Sequence, residues 1–284
     1  MDGTARPAGV FGPSRLTHAE YDAIDAVNWS TLKYLETSPK HYQHALTSVR
    51  LSTEAMILGR AVHTAVFEPA RLPLEYVIWT GGRRYGKEWD AFMDAHQTRT
   101  ILTEGQYHHA CAIRDAVRSS PLVAPYLANG LPEHALGWVY EKSVIAMKGR
   151  LDWLAPGTVL DLKTARFAIN PRAFTAEAVR LGYWKQLALY RMGASIVTGQ
   201  EHDAVVVAVE PTPPYDIAVY RLNAEDLSTA VYDIDQMLAT LQSCRATDSW
   251  PGRFALIQEL RMPAWAHALD ESTVTPDPDW AEGA

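Results

Sequence analysis

The sequence predicts an α/β or α+β fold built around one sheet. Two observations carry this reading. The patterns run as several helices, three strand-like stretches, more helices, two further strands and a last helix, and they do not alternate one for one as a regular βαβ repeat would. In addition, 284 residues with 48% hydrophobic and 10% aromatic content are enough for one domain with a large buried core.

Residues 1–15 are rich in Gly and Pro and are expected to be disordered. Asn28-Trp29-Ser30 leads into a capped helical pattern at Thr31–Leu35 that stops before Pro39, where the next helix begins. Ala55, Met56, Gly59, Val62, His63 and Val66 mark a helix over Ser52–Phe67, ended by Pro69. The Trp79–Lys87 segment mixes Gly81, Gly82 and Gly86 with Arg83, Arg84 and Lys87, which reads as a basic loop. Helical spacing resumes over Thr103–Ser119. Strand-like pieces follow at Gly137–Met147, Gly149–Leu154 and Thr158–Lys163, the last two joined by a Pro156-Gly157 turn. A helical stretch from Pro171 breaks near Gly182 and continues over Tyr183–Val197. Strands at Ala204–Glu210 and Ile217–Leu222 precede a long helix from Ala224 to about Cys244. Residues 16–269 thus form the expected single domain, with 270–284 as an acidic, mobile tail.

Composition limits the function classes. Cys111 and Cys244 are the only cysteines, too few for a disulfide framework, a four-cysteine zinc site or an iron–sulfur cluster. No apolar run has membrane-spanning length and no secretory h-region follows Arg6, so a cytoplasmic address without a membrane partner is expected. The net charge of −7 at first opposes a nucleic-acid partner, whose phosphates favour basic surfaces. Five of those charges, however, belong to Asp270, Glu271, Asp277, Asp279 and Glu282 in the tail, which leaves the remainder at −2.

The chemistry concentrates on the Pro156-Gly157 hairpin. A two-residue turn there pairs residues whose numbers sum to 313, so Asp152 is expected to face Asp161, with Cβ atoms about 5 Å apart. Lys163 falls on the same face as Asp161 by the two-residue strand period. Two carboxylates this close repel unless a cation lies between them, and oxygen donors of this kind suit Mg²⁺, with Mn²⁺ as a substitute. With a lysine beside them they fit phosphodiester hydrolysis. An ordinary surface hairpin in which Lys163 bridges exposed aspartates fits the same residues. His63 alone reads as a partly buried helix histidine. Gln186 and Tyr190, one helical turn apart, serve either as phosphate or water ligands or as the polar edge of a core helix. Arg83, Arg84 and Lys87 fit either a DNA-backbone grip or a solvated loop.

Taken together, the pieces resemble the exodeoxyribonuclease VIII (RecE) C-terminal nuclease family, phage-type members of the PD-(D/E)XK superfamily. The resemblance is carried by Trp29-Ser30 to Ser38-Pro39, Gly59-Arg60-Ala61-Val62-His63, Glu68-Pro69 and Gly86-Lys87-Glu88. It continues through Gly149-Arg150-Leu151-Asp152, Asp161-Leu162-Lys163-Thr164, Gln186 with Tyr190, Trp250-Pro251 and Leu260–Trp265. It implies a restriction-endonuclease-like core with a central mixed sheet flanked by helices. It also implies that His63, Asp152, Asp161 and the Leu162 carbonyl are metal ligands, that Lys163 activates water or stabilises the transition state, and that Gln186 and Tyr190 form an accessory motif. Arg150 joins the basic loop as a DNA-binding candidate.

The same resemblance implies 5′ to 3′ digestion of linear double-stranded DNA, a single-strand annealing partner and a homo-oligomeric ring, commonly a tetramer. Relatives often carry a glutamate at the start of the first strand. This chain reads Ala135-Leu136-Gly137 there, which leaves that glutamate's role open, with Glu141 as a candidate replacement. A structure-specific endonuclease and a non-catalytic DNA-binding assembly subunit are the competing readings.

Overall fold

The computed structural model describes residues 9–48, 52–254 and 256–263. In chain order its elements are strand β1 (Phe11–Ser14) and helices α1 (His18–Asp22), α2 (Trp29–Leu32), α3 (Pro39–Thr47), α4 (Glu54–Phe67) and α5 (Leu72–Glu75). Strand β2 (Tyr76–Trp79), helix α6 (Lys87–Ala95), strand β3 (Thr100–Thr103) and helices α7 (Glu104–Ser119) and α8 (Ala124–Leu127) follow. Strands β4 (Leu131–Tyr140), β5 (Ile145–Ala155) and β6 (Thr158–Thr164) lead to helices α9 (Pro171–Leu181) and α10 (Tyr183–Thr198). Strands β7 (Asp203–Val209) and β8 (Ile217–Arg221) and helix α11 (Ala224–Thr247) complete the order.

Helix starts fall where the sequence offers caps. Asn28 accepts the Thr31 amide at 3.0 Å, Ser38 accepts that of His41 ahead of α3, and Thr53 accepts that of Met56 at the start of α4. Each satisfies an amide that the first helical turn leaves without a partner. Gly182, with φ of 72°, separates α9 from α10 at the expected break.

One six-stranded sheet runs β1-β4-β5-β6-β7-β8, and only β6 and β7 are parallel, so the sheet is mixed as expected. Helices cover both faces. Trp29, Leu32, Leu187 and Ile234 from α2, α10 and α11 pack on one face with Trp138. Val62, Val66 and Ile113 from α4 and α7 pack on the other with Leu160 and Leu162. Strand β7 shows why its sequence is an unbroken apolar run: Val206 and Ala208 enter the first layer and Val205 and Val207 the second. Burial of each such valine stabilises the fold by about 1.5–3 kcal/mol.

Three expectations are corrected. Residues 11–14 are ordered as an edge strand, with Phe11 paired to Gly137; the Phe11 ring occupies the space a side chain at 137 would need, as a Cβ there would lie 2.1 Å from it. The stretch read as one strand over Gly137–Met147 is two strands joined by the Glu141–Val144 turn, and the first begins at Leu131. Helix α6 and the parallel β2–β3 pair are also elements that the pattern reading passed over. The acidic tail, residues 270–284, lies outside the described residues. Among the described residues no helix is long and apolar enough to cross a membrane, and Cys111 and Cys244 are both free.

Candidate active site

The β5–β6 hairpin has the expected register, with Ala155 opposite Thr158 and Trp153 opposite Leu160. Pairing ends there, so Asp152 and Asp161 do not form the facing ladder pair that the turn alone implies. The cause lies in β5, which changes the face it presents: Met147 and Leu151 join the layer under α10, whereas Trp153 and Ala155 join the layer under α4. The strands separate at the switch, and Asp152 Oδ2 takes the Leu162 amide, at 2.9 Å, in place of a backbone carbonyl. On the other side of β5, Glu133 adopts a left-handed φ of 52°.

Lys163 and Asp161 share a face, with Nζ 2.6 Å from Asp161 Oδ2 and the ammonium 4.8 Å from the centre of the Tyr183 ring. Helix α4 delivers His63, whose Nε2 lies 3.1 Å from the Leu162 carbonyl and whose Nδ1 lies 3.4 Å from Asp152 Oδ2. Glu133 completes the group. One donor atom from each of His63, Glu133 and Asp152 falls within 4.8 Å of the others, so these three could hold a metal ion.

Two acids are placed differently from what the sequence suggests. The acid that β4 brings beside Asp152 is Glu133, near the start of the strand, whereas Glu141 lies in the turn at its far end. Asp161 also stands outside the three-residue group, paired with Lys163. Glu133 was missed because Pro132 marks the segment as a poor strand. The signal that finds it is the hairpin across Glu141–Val144. Its pairs, such as His134 with Leu151, sum to 285 and leave Glu133 level with Asp152.

The electrostatics fit a divalent cation. Burial, and then the Asp152 charge, push the Glu133 carboxyl up to about 7. Burial also raises Asp161, with Asp152 adding to the effect and Lys163 opposing it. Burial acts upward on Asp152 as well, but His63, Lys163 and the Leu162 amide together hold it below the usual carboxylate range. Burial alone would lower His63; the Asp152 carboxylate outweighs it and pushes the imidazole up to about 9. Asp161 Oδ2 is sealed from solvent and, despite the nearby ammonium, lacks a well-directed hydrogen bond. Carboxylates that resist ionising beside one already charged are relieved by a positive ion, and an imidazole with carboxylate oxygens is a suitable donor set.

Gln186 and Tyr190 face the site from α10, with Gln186 Nε2 3.2 Å from the Tyr190 hydroxyl. Burial raises the Tyr190 phenol, and both Asp161 and Asp152 act on it. Gly149 makes this approach possible, since a Cβ there would lie 3.0 Å from the Tyr190 ring. Arg150 is committed to residues 16–21: its Nη2 donates to the Leu16 and Thr17 carbonyls, Nη1 lies 3.0 Å from His18 Nδ1, and the guanidinium covers the Tyr21 ring. Sequence reading also missed His18 and Tyr21, which lie in the stretch assigned no element. His63, Glu133, Asp152, Arg60, Arg150 and His18 line one cleft of about 290 Å³.

Arg83, Arg84 and Lys87 do not line that cleft. Arg84 is bound to Glu54 at 3.1 Å and to Gln106 at 3.2 Å, Arg83 reaches the Tyr85 hydroxyl, and Lys87 opens α6. Glu54 lies nine residues from His63 on α4, a separation of roughly 13 Å along the axis.

Comparison with known proteins agrees with this architecture. The solved structure of a "putative exonuclease" from Eubacterium rectale superposes with a TM-score of 0.60 at 12% identity, over 90% of this chain and 99% of that one. At that identity the likeness is one of fold. No match to a curated protein is found. Residues 28–263 match the model of a PDDEXK-like domain of unknown function, DUF3799. The match spans most of the chain and contains His63, Glu133, Asp152, Asp161 and Lys163, and the chain belongs to that PDDEXK-like family.

Proposed function

We propose that the protein is a metal-dependent DNA nuclease, a 5′ to 3′ exonuclease on linear double-stranded DNA that leaves 3′ single-stranded tails. The observation that carries the nuclease reading is the convergence of His63, Glu133 and Asp152 beside the Asp161–Lys163 pair. His63, Glu133 and Asp152 would hold the ion, with Asp161 able to join once Lys163 turns to substrate. A bound Mg²⁺ or Mn²⁺ supplies Lewis-acid polarisation of the phosphate and a lowered water pKa. Lys163, kept charged by Asp161, is placed to orient the attacking water or to stabilise negative charge on the phosphoryl oxygens. Gln186 and Tyr190 supply polar groups on the α10 side of the same site, and the basic loop with Arg150 supplies contacts to the backbone.

Exonuclease polarity and a role in strand-annealing recombination rest on the family resemblance at Gly149–Asp152 and Asp161–Thr164. With them come a single-strand annealing partner and a tetrameric ring, which would gather the few basic groups of each subunit around DNA. The test is digestion of end-labelled linear duplex, with closed circular duplex as the control, in Mg²⁺, Mn²⁺ and EDTA. Release of nucleotides from 5′ ends, dependence on metal and survival of closed circles are expected. Efficient cutting of circles makes the protein an endonuclease, and release from 3′ ends overturns the polarity while leaving the site intact.

A further inference from the structure

The loop from Ala165 to Asn170 begins two residues after the site lysine and is pinned at both ends. The Ala165 amide donates to the Val209 carbonyl at 2.9 Å. The Arg166 amide donates to the Glu177 carboxylate, at 3.0 Å and 3.3 Å to its two oxygens. The Ile169 carbonyl accepts from the Tyr220 hydroxyl, and Asn170 caps α9. Glu177 is only 3% exposed. Burying a carboxylate is unfavourable unless hydrogen bonds compensate, and here those bonds come from one loop amide.

Between these anchors the Phe167 side chain stands 78% exposed. A lone exposed apolar residue on a free loop is ordinary, but here the backbone is anchored on both sides of the ring, at Ala165 and Arg166 and at Ile169 and Asn170. Its neighbours Ile169 and Phe174 are both buried, so the segment has access to the core and leaves this one ring outside. Arg166, beside it, is exposed as well. Phe167 is the fourth residue after Lys163, so their Cα atoms lie at most about 14 Å apart, within about four base steps of a duplex strand.

We propose that Phe167 is a stacking platform for a frayed, unpaired nucleobase at the end of the strand held at the Asp152–Lys163 site, and that Glu177 is the positioning residue that fixes the platform. The proposal rests on the nuclease reading and adds to it a contact with a base rather than with the backbone. An aromatic face accepts any base, which suits an enzyme that degrades DNA without regard to sequence.

The test measures affinity for a labelled duplex oligonucleotide in an Asp161→Asn background, where cleavage is silenced. The oligonucleotide is either intact or abasic at each of the six positions nearest the end. Phe167→Ala is expected to weaken binding of the intact duplex about tenfold, and Phe167→Trp to restore it. At one position the abasic gap should weaken the Phe167 protein by the same factor and leave the Phe167→Ala protein unaffected. Glu177→Ala should reproduce the Phe167→Ala pattern, whereas Glu177→Gln, which keeps an acceptor for the Arg166 amide, should not. Because Phe167 is exposed, its variants fold. If Phe167→Ala binds every duplex as tightly as its parent, or loses the same factor at every abasic position, stacking is overturned and the ring faces a protein or nothing. If the wild type neither binds nor cuts DNA, the nuclease reading falls and the platform with it.

Discussion

Glu133 and Asp152 lie level on neighbouring strands, between the paired positions Pro132–Trp153 and His134–Leu151, and their carboxylates share one three-residue group with His63. Glu133 has its carboxyl pushed up to about 7 by burial and by Asp152, so ionising it works against the metal-free fold. That cost is absent at pH 4, grows as pH rises from the ordinary glutamate value through about 7, and is constant above. Glu133→Gln should therefore stabilise the metal-free protein by about 1–3 kcal/mol at pH 8 and by little at pH 4. In Mg²⁺ the sign should reverse, because the wild type gains stability from binding an ion that the variant holds poorly. Thermal melts at the two pH values, with EDTA and with Mg²⁺, check this; equal effects in both media would remove Glu133 from the ligand set.

Asp152 has a second task in holding the separated strands together through the Leu162 amide. Asp152→Asn keeps an oxygen acceptor and removes the charge, whereas Asp152→Leu leaves that amide buried without a partner. Metal-free urea denaturation should find the Leu variant about 1–3 kcal/mol less stable than the Asn variant. Calorimetric titration with Mn²⁺ should show weakened binding in both. Equal stabilities would mean that the amide finds another acceptor.

Lys163 is tied to Asp161 in a setting where burial alone would lower its pKa, and the two aspartates raise it instead, so it stays charged. Lys163→Gln should reduce cleavage roughly 10²–10⁴-fold, the range for losing a group that assists proton transfer, while DNA affinity changes by only a few fold. Lys163→Arg should not rescue it, since a planar guanidinium cannot present a point charge in the same space. Single-turnover rates at saturating enzyme separate the two effects. A loss confined to binding would make Lys163 a backbone contact.

Much of this architecture is legible in the residues, for reasons that also explain what is hidden. The Pro156-Gly157 turn sets the hairpin register, and Asp161 and Lys163 share a face because a strand repeats every two residues. Local pattern does not encode the change of face in β5. It depends on which layer each side chain enters, so the Asp152 carboxylate reaches the Leu162 amide where a uniform ladder would place it opposite Asp161. Glu133 was hidden by Pro132 and by its own left-handed backbone, both atypical of a strand. Periodicity does not single out His63, which only the resemblance at Gly59–His63 marks: its neighbours are helical, and its partners, Asp152 and the Leu162 carbonyl, are 89 and 99 residues away in sequence. The edge strand at Phe11 depends on the space above Gly137, a long-range match that a Gly- and Pro-rich composition conceals.

The segment before α2 is held to the site by a buried cation. Lys148, 4% exposed, donates to the carbonyls of Tyr21 at 2.7 Å and Ile24 at 2.8 Å, and its ammonium lies 4.6 Å from the Tyr21 ring centre, with the Arg150 guanidinium 4.8 Å from the same centre. His18, Tyr21 and Ile24 precede the family match, which begins at Asn28, yet His18 lines the same cleft as His63, Glu133 and Asp152. Lys148→Met keeps the stem's volume and removes every donor, leaving the Tyr21 carbonyl only the Ile24 amide at 3.3 Å and the Ile24 carbonyl only the Ala26 amide at 2.9 Å, at a cost of about 1–3 kcal/mol for the lost charged bonds. Because Trp138, Leu187 and the rest of the core are untouched, the loss should be local, as expected of a segment with its own opening free energy. Amide hydrogen exchange over residues 18–24 should accelerate while β6 and β7 stay protected, and the KM for duplex DNA should rise as Arg150 loses its footing on Tyr21. Unchanged exchange would show that β1 pairing with β4, rather than Lys148, fixes the segment.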